Sequence, residues 1–201
     1  MRVSSASARR FVARAAIPVA VMFAAGTVWQ ASYAAFSAET RNSGNAWSAG
    51  AIALTDDDGG SARFTVENLI PGQTDTQCIK VTSNATSYGP VKMYTLNAVN
   101  TVGLMEHLKM TIKQGAGGTF ASCTGFEATD TLVNGVMLST MASTYTSYET
   151  GVGNWTPSSS PESMVFQITY VFDTTDMTQQ QLDALQGTHA GIDFEWEMET
   201  V

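Results

Sequence analysis

Hydrophobic and polar residues alternate with period two in two stretches of the chain. Met164, Phe166, Ile168, Tyr170 and Phe172 are interleaved with Val165, Gln167, Thr169 and Val171, and Ile192, Phe194, Trp196 and Met198 with Asp193, Glu195 and Glu197. Successive side chains of a strand point to opposite faces, so each stretch predicts a β-strand with one aromatic-rich buried face. In the second stretch every intervening residue is acidic, which predicts that Glu195 and Glu197 lie on a solvated face. Shorter patterned runs predict strands at Trp47–Leu54, Ala62–Leu69, Gln77–Thr82, Val91–Leu96, Lys109–Lys113 and Leu132–Met141. Val102–Leu108 reads as a short helical turn. One segment has a helix with both ends marked: Asp176 as cap, Gln179–Leu185 as body and Gly187 as stop. Asp56–Gly60 and Pro71-Gly72 read as turns. Gly115–Gly118 and Ala121–Gly125 read as a glycine-rich loop, and Ser143–Pro161 as an exposed loop. About eight or nine strands, long connections and one short helix predict an all-β fold, an antiparallel β-sandwich of jelly-roll type.

The first residues have a different pattern. Residues 1–16 carry four Arg and no acid, Ile17–Trp29 is apolar, and Ala31-Ser32-Tyr33-Ala34 is a run of small residues around one Tyr. Basic, apolar and small-residue regions in that order predict a secretory signal peptide over 1–34. Cleavage is placed after Ala34, with Ala35 as the new N-terminus; after Ala35 or after Ala31 are the alternatives. The apolar run is too short to span about 30 Å of hydrocarbon, and the sequence has no second one. The mature part, a single domain over 35–201, is therefore expected to be secreted with no membrane span.

Charge sharpens this expectation. The chain has 10 basic and 18 acidic residues, and Arg2, Arg9, Arg10 and Arg14 lie in the leader. The mature part keeps six basic against 18 acidic residues, a net charge near −12. Such an acidic surface argues against nucleic acid or an anionic membrane as partner. An oxidising compartment makes a disulfide between the two cysteines, Cys78 and Cys123, the expected state. Closing that long loop is worth about 4 kcal/mol by chain entropy. Asn84-Ala85-Thr86 and Asn154-Trp155-Thr156 match the glycosylation sequon and read as loop residues.

Chemistry-bearing motifs are absent from the sequence. There is no His-Glu-x-x-His, and the two histidines, His107 and His189, are far apart. No Gly-x-Ser-x-Gly elbow appears, neither Cys has a base near it in sequence, and Gly115-Ala116-Gly117-Gly118 lacks the Lys and the setting of a phosphate loop. Asp56-Asp57-Asp58 lacks the spacing and the downstream Glu of a calcium loop, so turn chemistry explains it. No catalytic, cofactor or metal residue is therefore assigned. A strand starting at Ala35-Phe36 has no hairpin partner before it. It can pair within its own domain or add to the sheet of a neighbour, and a head-to-tail repeat of the second contact builds a filament.

Three short elements then carry a resemblance. Ala34-Ala35-Phe36-Ser37, Trp47-Ser48-Ala49-Gly50-Ala51-Ile52-Ala53-Leu54 and Val66-Glu67-Asn68-Leu69-Ile70-Pro71-Gly72-Gln73-Thr74 resemble the TasA/camelysin (CalY) family of secreted Gram-positive proteins. The shared pattern is a cleavage site, an Ala-Phe start, an aromatic-x-Ala-Gly strand ending in Leu, and an Asn-Leu-x-Pro-Gly turn. It covers about residues 20–82. The two cysteines depart from the best-known fibre-forming members and look like an actinobacterial-type variant. The resemblance implies a jelly roll, cleavage by a SipW-type signal peptidase, and homo-oligomeric biofilm-matrix or surface fibres. In these the N-terminal strand of one subunit completes the sheet of the next. The donor strand would be about Ala35–Thr55, with Phe36, Trp47, Ile52 and Leu54 as its apolar residues. Camelysins are described as surface metallopeptidases, but no metal-ligand motif here receives that role. A monomeric binding sandwich is the remaining alternative.

Overall fold

The computed structural model describes residues 37–41, 54–60 and 69–200. In chain order these form β1 (Ser37–Arg41), β2 (Leu54–Asp56), β3 (Thr74–Ser83), β4 (Val91–Asn100), a 3-10 turn (Leu104–His107) and β5 (Leu108–Ala116). Next come β6 (Glu127–Met137), α1 (Leu138–Thr144), β7 (Val152–Trp155), β8 (Glu162–Phe172), α2 (Gln179–Ala184) and β9 (Ala190–Glu199). Two antiparallel sheets result, with strand orders β1-β9-β4-β7 and β2-β3-β8-β5-β6. The pairs are nested: β5 with β6, β4 with β7, β3 with β8 and β1 with β9. A long double strand rolled over itself gives that nesting, which is the jelly roll the strand pattern predicts.

The core lies between the sheets. Ile79, Val81, Ile112, Phe166 and Ile168 face it from one side, and Val91, Met93, Phe194, Trp196 and Met198 from the other. Phe166 and Trp196 meet across the gap with ring centroids 5.3 Å apart, tilted at 51°. The two strictly alternating stretches thus supply the facing centres of the two sheets. Leu138 and Met141 close one end; their spacing of three places both on one side of α1.

Several expectations are corrected. The strand expected at Leu132–Met141 starts earlier, at Glu127, and stops at Met137. Beyond it the buried Leu138 and Met141 have helical rather than strand spacing. Ser143–Pro161 is not simply an exposed loop, since it contains β7 and the buried Trp155. Glycines read as breakers there let β7 lie close on β4: a Cβ on Gly151 would sit 3.0 Å from the Met93 carbonyl oxygen. Asn154 of the second sequon lies in β7, where its Oδ1 accepts from Gln114 Nε2. The rest of that segment is pinned by Glu162. Its Oε1 accepts from Trp155 Nε1, and its Oε2 from the Ser158 and Ser159 amides and hydroxyls. These donors, Trp155 foremost, hold the Glu162 carboxyl down to about 2. α2 is capped by Thr178 in a capping box with Gln181, not by Asp176. A hydroxyl with a Gln three residues on satisfies two amides at once, which a lone Asp further upstream does not.

Cys78 and Cys123 form the disulfide, with Cα atoms 5.4 Å apart across 45 residues of sequence. It ties the loop before β6 to β3. The acidic turn adds a second tie at the same place: Asp57 Oδ1 accepts from the Lys80 amide and Oδ2 from the Phe120 amide, each at 2.8 Å. Asp58 is buried and accepts from the Gly60 amide. Burial, and then a hydrogen bond shared with the Asp56 side chain, push its carboxyl up to about 6. Residues 37–201 make up one compact unit.

Candidate assembly site

β9 is the element on which the candidate site is built. One of its edges is paired along most of its length with β4, from Asn100 opposite Ala190 to Val91 opposite Met198. Among the described residues the other edge is paired with β1, Ser37 opposite Glu199 through Arg41 opposite Glu195. Among the described strands β1 stands at the edge of its sheet, with Ser37 at the Glu199 end of β9. Among the described residues nothing pairs with Ala190–Phe194 on the β1 side.

The stretch read as one donor strand, Ala35–Thr55, divides between the two sheets. Ser37–Arg41 lies in one sheet, whereas Leu54 begins β2 in the other, paired with Ser83. Leu54 is buried in this domain's own core. Phe36, Trp47 and Ile52, together with the cleavage residues Ala34 and Ala35, lie outside the described residues.

On the face of β9 opposite the core, Glu195 and Glu197 do not face water. They are 1% and 7% exposed. Tyr94, opposite Glu195 on β4, places its hydroxyl 3.2 Å from Glu195 Oε1 and 3.1 Å from Glu197 Oε2. Period two placed these carboxylates on the non-core face, but it carries no information on whether a second layer covers that face. Buried polar groups are hydrogen-bonded, and the opposing Tyr is the one sequence feature able to signal this. Nearby, Lys92 lies over the Tyr148 ring, 4.7 Å from its centroid. Burial, with Glu199 next in effect, pushes the Tyr148 hydroxyl up.

Against the first half of β9 is a cavity of about 1160 Å³. Ile192 and Phe194 of β9, Tyr170 and Phe172 of β8, Leu182 and Leu185 of the α2 segment, and Leu69 and Ile70 line it. The sequence did not point to this cavity, because it arises where β9, α2 and the 69–71 turn meet, and no local pattern records that meeting.

His107 ends the 3-10 turn and His189 precedes β9, next to Thr101. Among the described residues no group of three or more His, Cys, Asp or Glu is placed to hold a metal ion. No helix among them is long and apolar enough to cross a membrane. No protein-family model matches the chain, and no curated protein matches it.

Proposed function

We propose that the chain is a secreted structural subunit of an extracellular or biofilm-matrix fibre, assembled by strand addition from its N-terminal segment. The observation that carries this reading is the place of β1. It is the first of the described strands and stands at the edge of its sheet among them, paired with β9 over five residue pairs. It is separated from β2 by residues 42–53, a length of chain able to reach across a subunit boundary. A strand held in that way can leave its own β9 and add to another copy's sheet. The same contact repeated head to tail gives an open filament. The leader pattern over residues 1–34, the resemblance to TasA-type proteins and the disulfide support an exported protein of this kind. On this reading the segment is released by a signal peptidase of SipW type.

Electron microscopy of the chain starting at Ala35, across pH and salt, tests the proposal. Filaments are expected, and deletion of residues 35–45 is expected to abolish them. Filaments that persist after that deletion overturn the strand-addition mechanism. A monomer under every condition overturns the fibre subunit and returns the protein to a binding sandwich.

A further inference from the structure

The outer faces of the two sheets differ in charge. Across β3, β8 and β5 the register lines up the outward residues in ranks: Thr76, Thr169 and Thr111 form one, and Cys78, Gln167 and Lys113 the next. Alternation carries these ranks over Thr74–Thr82, Ser163–Val171 and Lys109–Gly115. The face so formed holds Lys80, Lys109 and Lys113 and no acidic residue, and most of its other positions are Thr, Ser or Gln. Those three lysines are half of the basic residues after position 34, in a chain with 18 acids. On the other sheet, the outward positions of β9 are Asp193, Glu195, Glu197 and Glu199.

The lysine face is open to a partner. Thr74, Thr76, Ser163 and Val171 are exposed, and Gln167 and the three lysines are half-buried. Cys78 and Val165 are buried, at the place where the disulfide ties its loop. Lys109 is paired with Asp173, just past the end of β8; among the described residues neither Lys80 nor Lys113 has a carboxylate at ion-pair distance. Lys113 stands about 13 Å along β5 from Lys109, and Lys80 two strands across, about 10 Å. All three strands are inner strands of their sheet, so this face acts through side chains and not as an edge. It carries no aromatic side chain to stack a base or anchor an apolar peptide. Duplex nucleic acid, with one charge per about 1.7 Å, is strongly repelled by a chain of such net negative charge. An acidic peptide brings carboxylates but no hydroxyls for the Thr, Ser and Gln positions. A polysaccharide with one carboxylate on each ring has a lower line charge and brings both groups, and those side chains donate as well as accept.

We infer that the outer face of β3, β8 and β5 binds an acidic polysaccharide, with Lys80 and Lys113 on ring carboxylates and the ranks of Thr and Gln on ring hydroxyls. This goes beyond the fibre reading and does not depend on strand exchange.

The test titrates polygalacturonate, with one carboxylate per ring, into the chain starting at Ala35 at low and at physiological salt. Binding is expected, and it should weaken as salt rises. Lys80→Gln combined with Lys113→Gln is expected to weaken it about tenfold and to flatten the salt dependence, with an unchanged melting temperature. Lys92→Gln, on the other sheet, is expected to leave it unchanged. If the double variant fails to fold, amide shifts on the wild type decide: changes within 74–82, 109–115 and 163–171 sustain the inference, and changes confined to other residues overturn it. No binding at low salt overturns it, as does equal binding by the folded double variant. Equal binding of neutral dextran, or tighter binding of polyglutamate or duplex DNA, overturns the choice of an acidic polysaccharide. None of these readouts needs filaments, so the fibre reading stands or falls separately.

Discussion

The outermost strands of the two sheets, β6 and β1, are held in opposite ways. β6 runs for 11 residues, and its register with β5 shifts at three places. It carries Glu127 and Asp130. The loop that leads into it is anchored twice, by the disulfide and by Asp57. Irregular register and acidic side chains are the usual means of keeping an edge from pairing with another chain. The other two outer strands, β2 and β7, have only three and four residues. β1 has five consecutive pairs with β9, without a register shift. It carries Glu39 and Arg41 and differs from β6 in its unshifted register, and it lies nearest the N-terminal segment. On the proposed function, the irregular edge stays with its own domain and the regular one is the edge that is exchanged.

The largest effect is expected on the guarded side. Replacing both Cys78 and Cys123 with Ala is expected to cost about 2–4 kcal/mol in urea unfolding. Amide exchange should rise over 117–131 while filament formation is unchanged. If the double variant still melts normally but no longer forms filaments, the two edges are coupled and the contrast fails. Asp57→Ala is next, at about 2 kcal/mol, because it strips acceptors from the Lys80 and Phe120 amides at once. Both ties hold one loop, so Asp57→Ala combined with the cysteine substitutions should cost less than the sum of the separate losses. Full additivity would mean that the two ties act on different parts of the structure.

The regular parts of the fold were legible in the sequence because period two is a local signal. β8 and β9 were placed by it almost to the residue, and they supply Phe166 and Trp196 to the centre of the core. The disulfide was legible from the leader pattern, which predicts export, and from a single pair of cysteines. β7 was hidden because its glycines, which allow close approach to β4, are also the residues that mark loops. The burial of Glu195 and Glu197 was hidden because it depends on what lies over the non-core face of the sheet. As for the candidate site, the sequence singled out the N-terminal stretch. It did not reveal the split of that stretch between two sheets or the cavity beside β9. The split depends on β1 pairing with β9, at the other end of the chain, and the cavity on the 69–71 turn meeting residues 182–194.

A pH measurement sharpens the guarded side further. The Asp58 carboxyl is pushed from an ordinary 3.8 up to about 6 by burial and by Asp56, so the folded chain holds this proton more tightly than the unfolded chain does. Its contribution is complete below about pH 4 and is lost as pH rises through 6. Allowing for solvent screening, stability should fall by about 1–2 kcal/mol over that range from this group. Asp58→Asn is expected to flatten the slope in urea titrations between pH 4 and 7, because it keeps a neutral hydrogen-bonding group in the turn. An unchanged slope would place the pH dependence elsewhere.

The smallest effect on stability should accompany the largest effect on assembly. Each hydrogen bond between β1 and β9 is worth a net 0.5–1.5 kcal/mol at most, roughly, because both partners exchange it with water. Ordering each of the five residues costs about 1–2 kcal/mol of backbone entropy, so the two contributions nearly cancel. A chain starting at Ala46, without β1, should therefore unfold within about 1 kcal/mol of one starting at Ala35 when both are monomeric. It should nonetheless form no filaments and compete for none. Urea midpoints below the assembly concentration, set beside electron micrographs above it, measure both quantities on the same two proteins. A loss of more than about 3 kcal/mol would put β1 beside β6 as a fixed part of its own domain. The N-terminal strand would then be too firmly held to be exchanged, and the fibre mechanism would have to draw on residues before Ser37 alone.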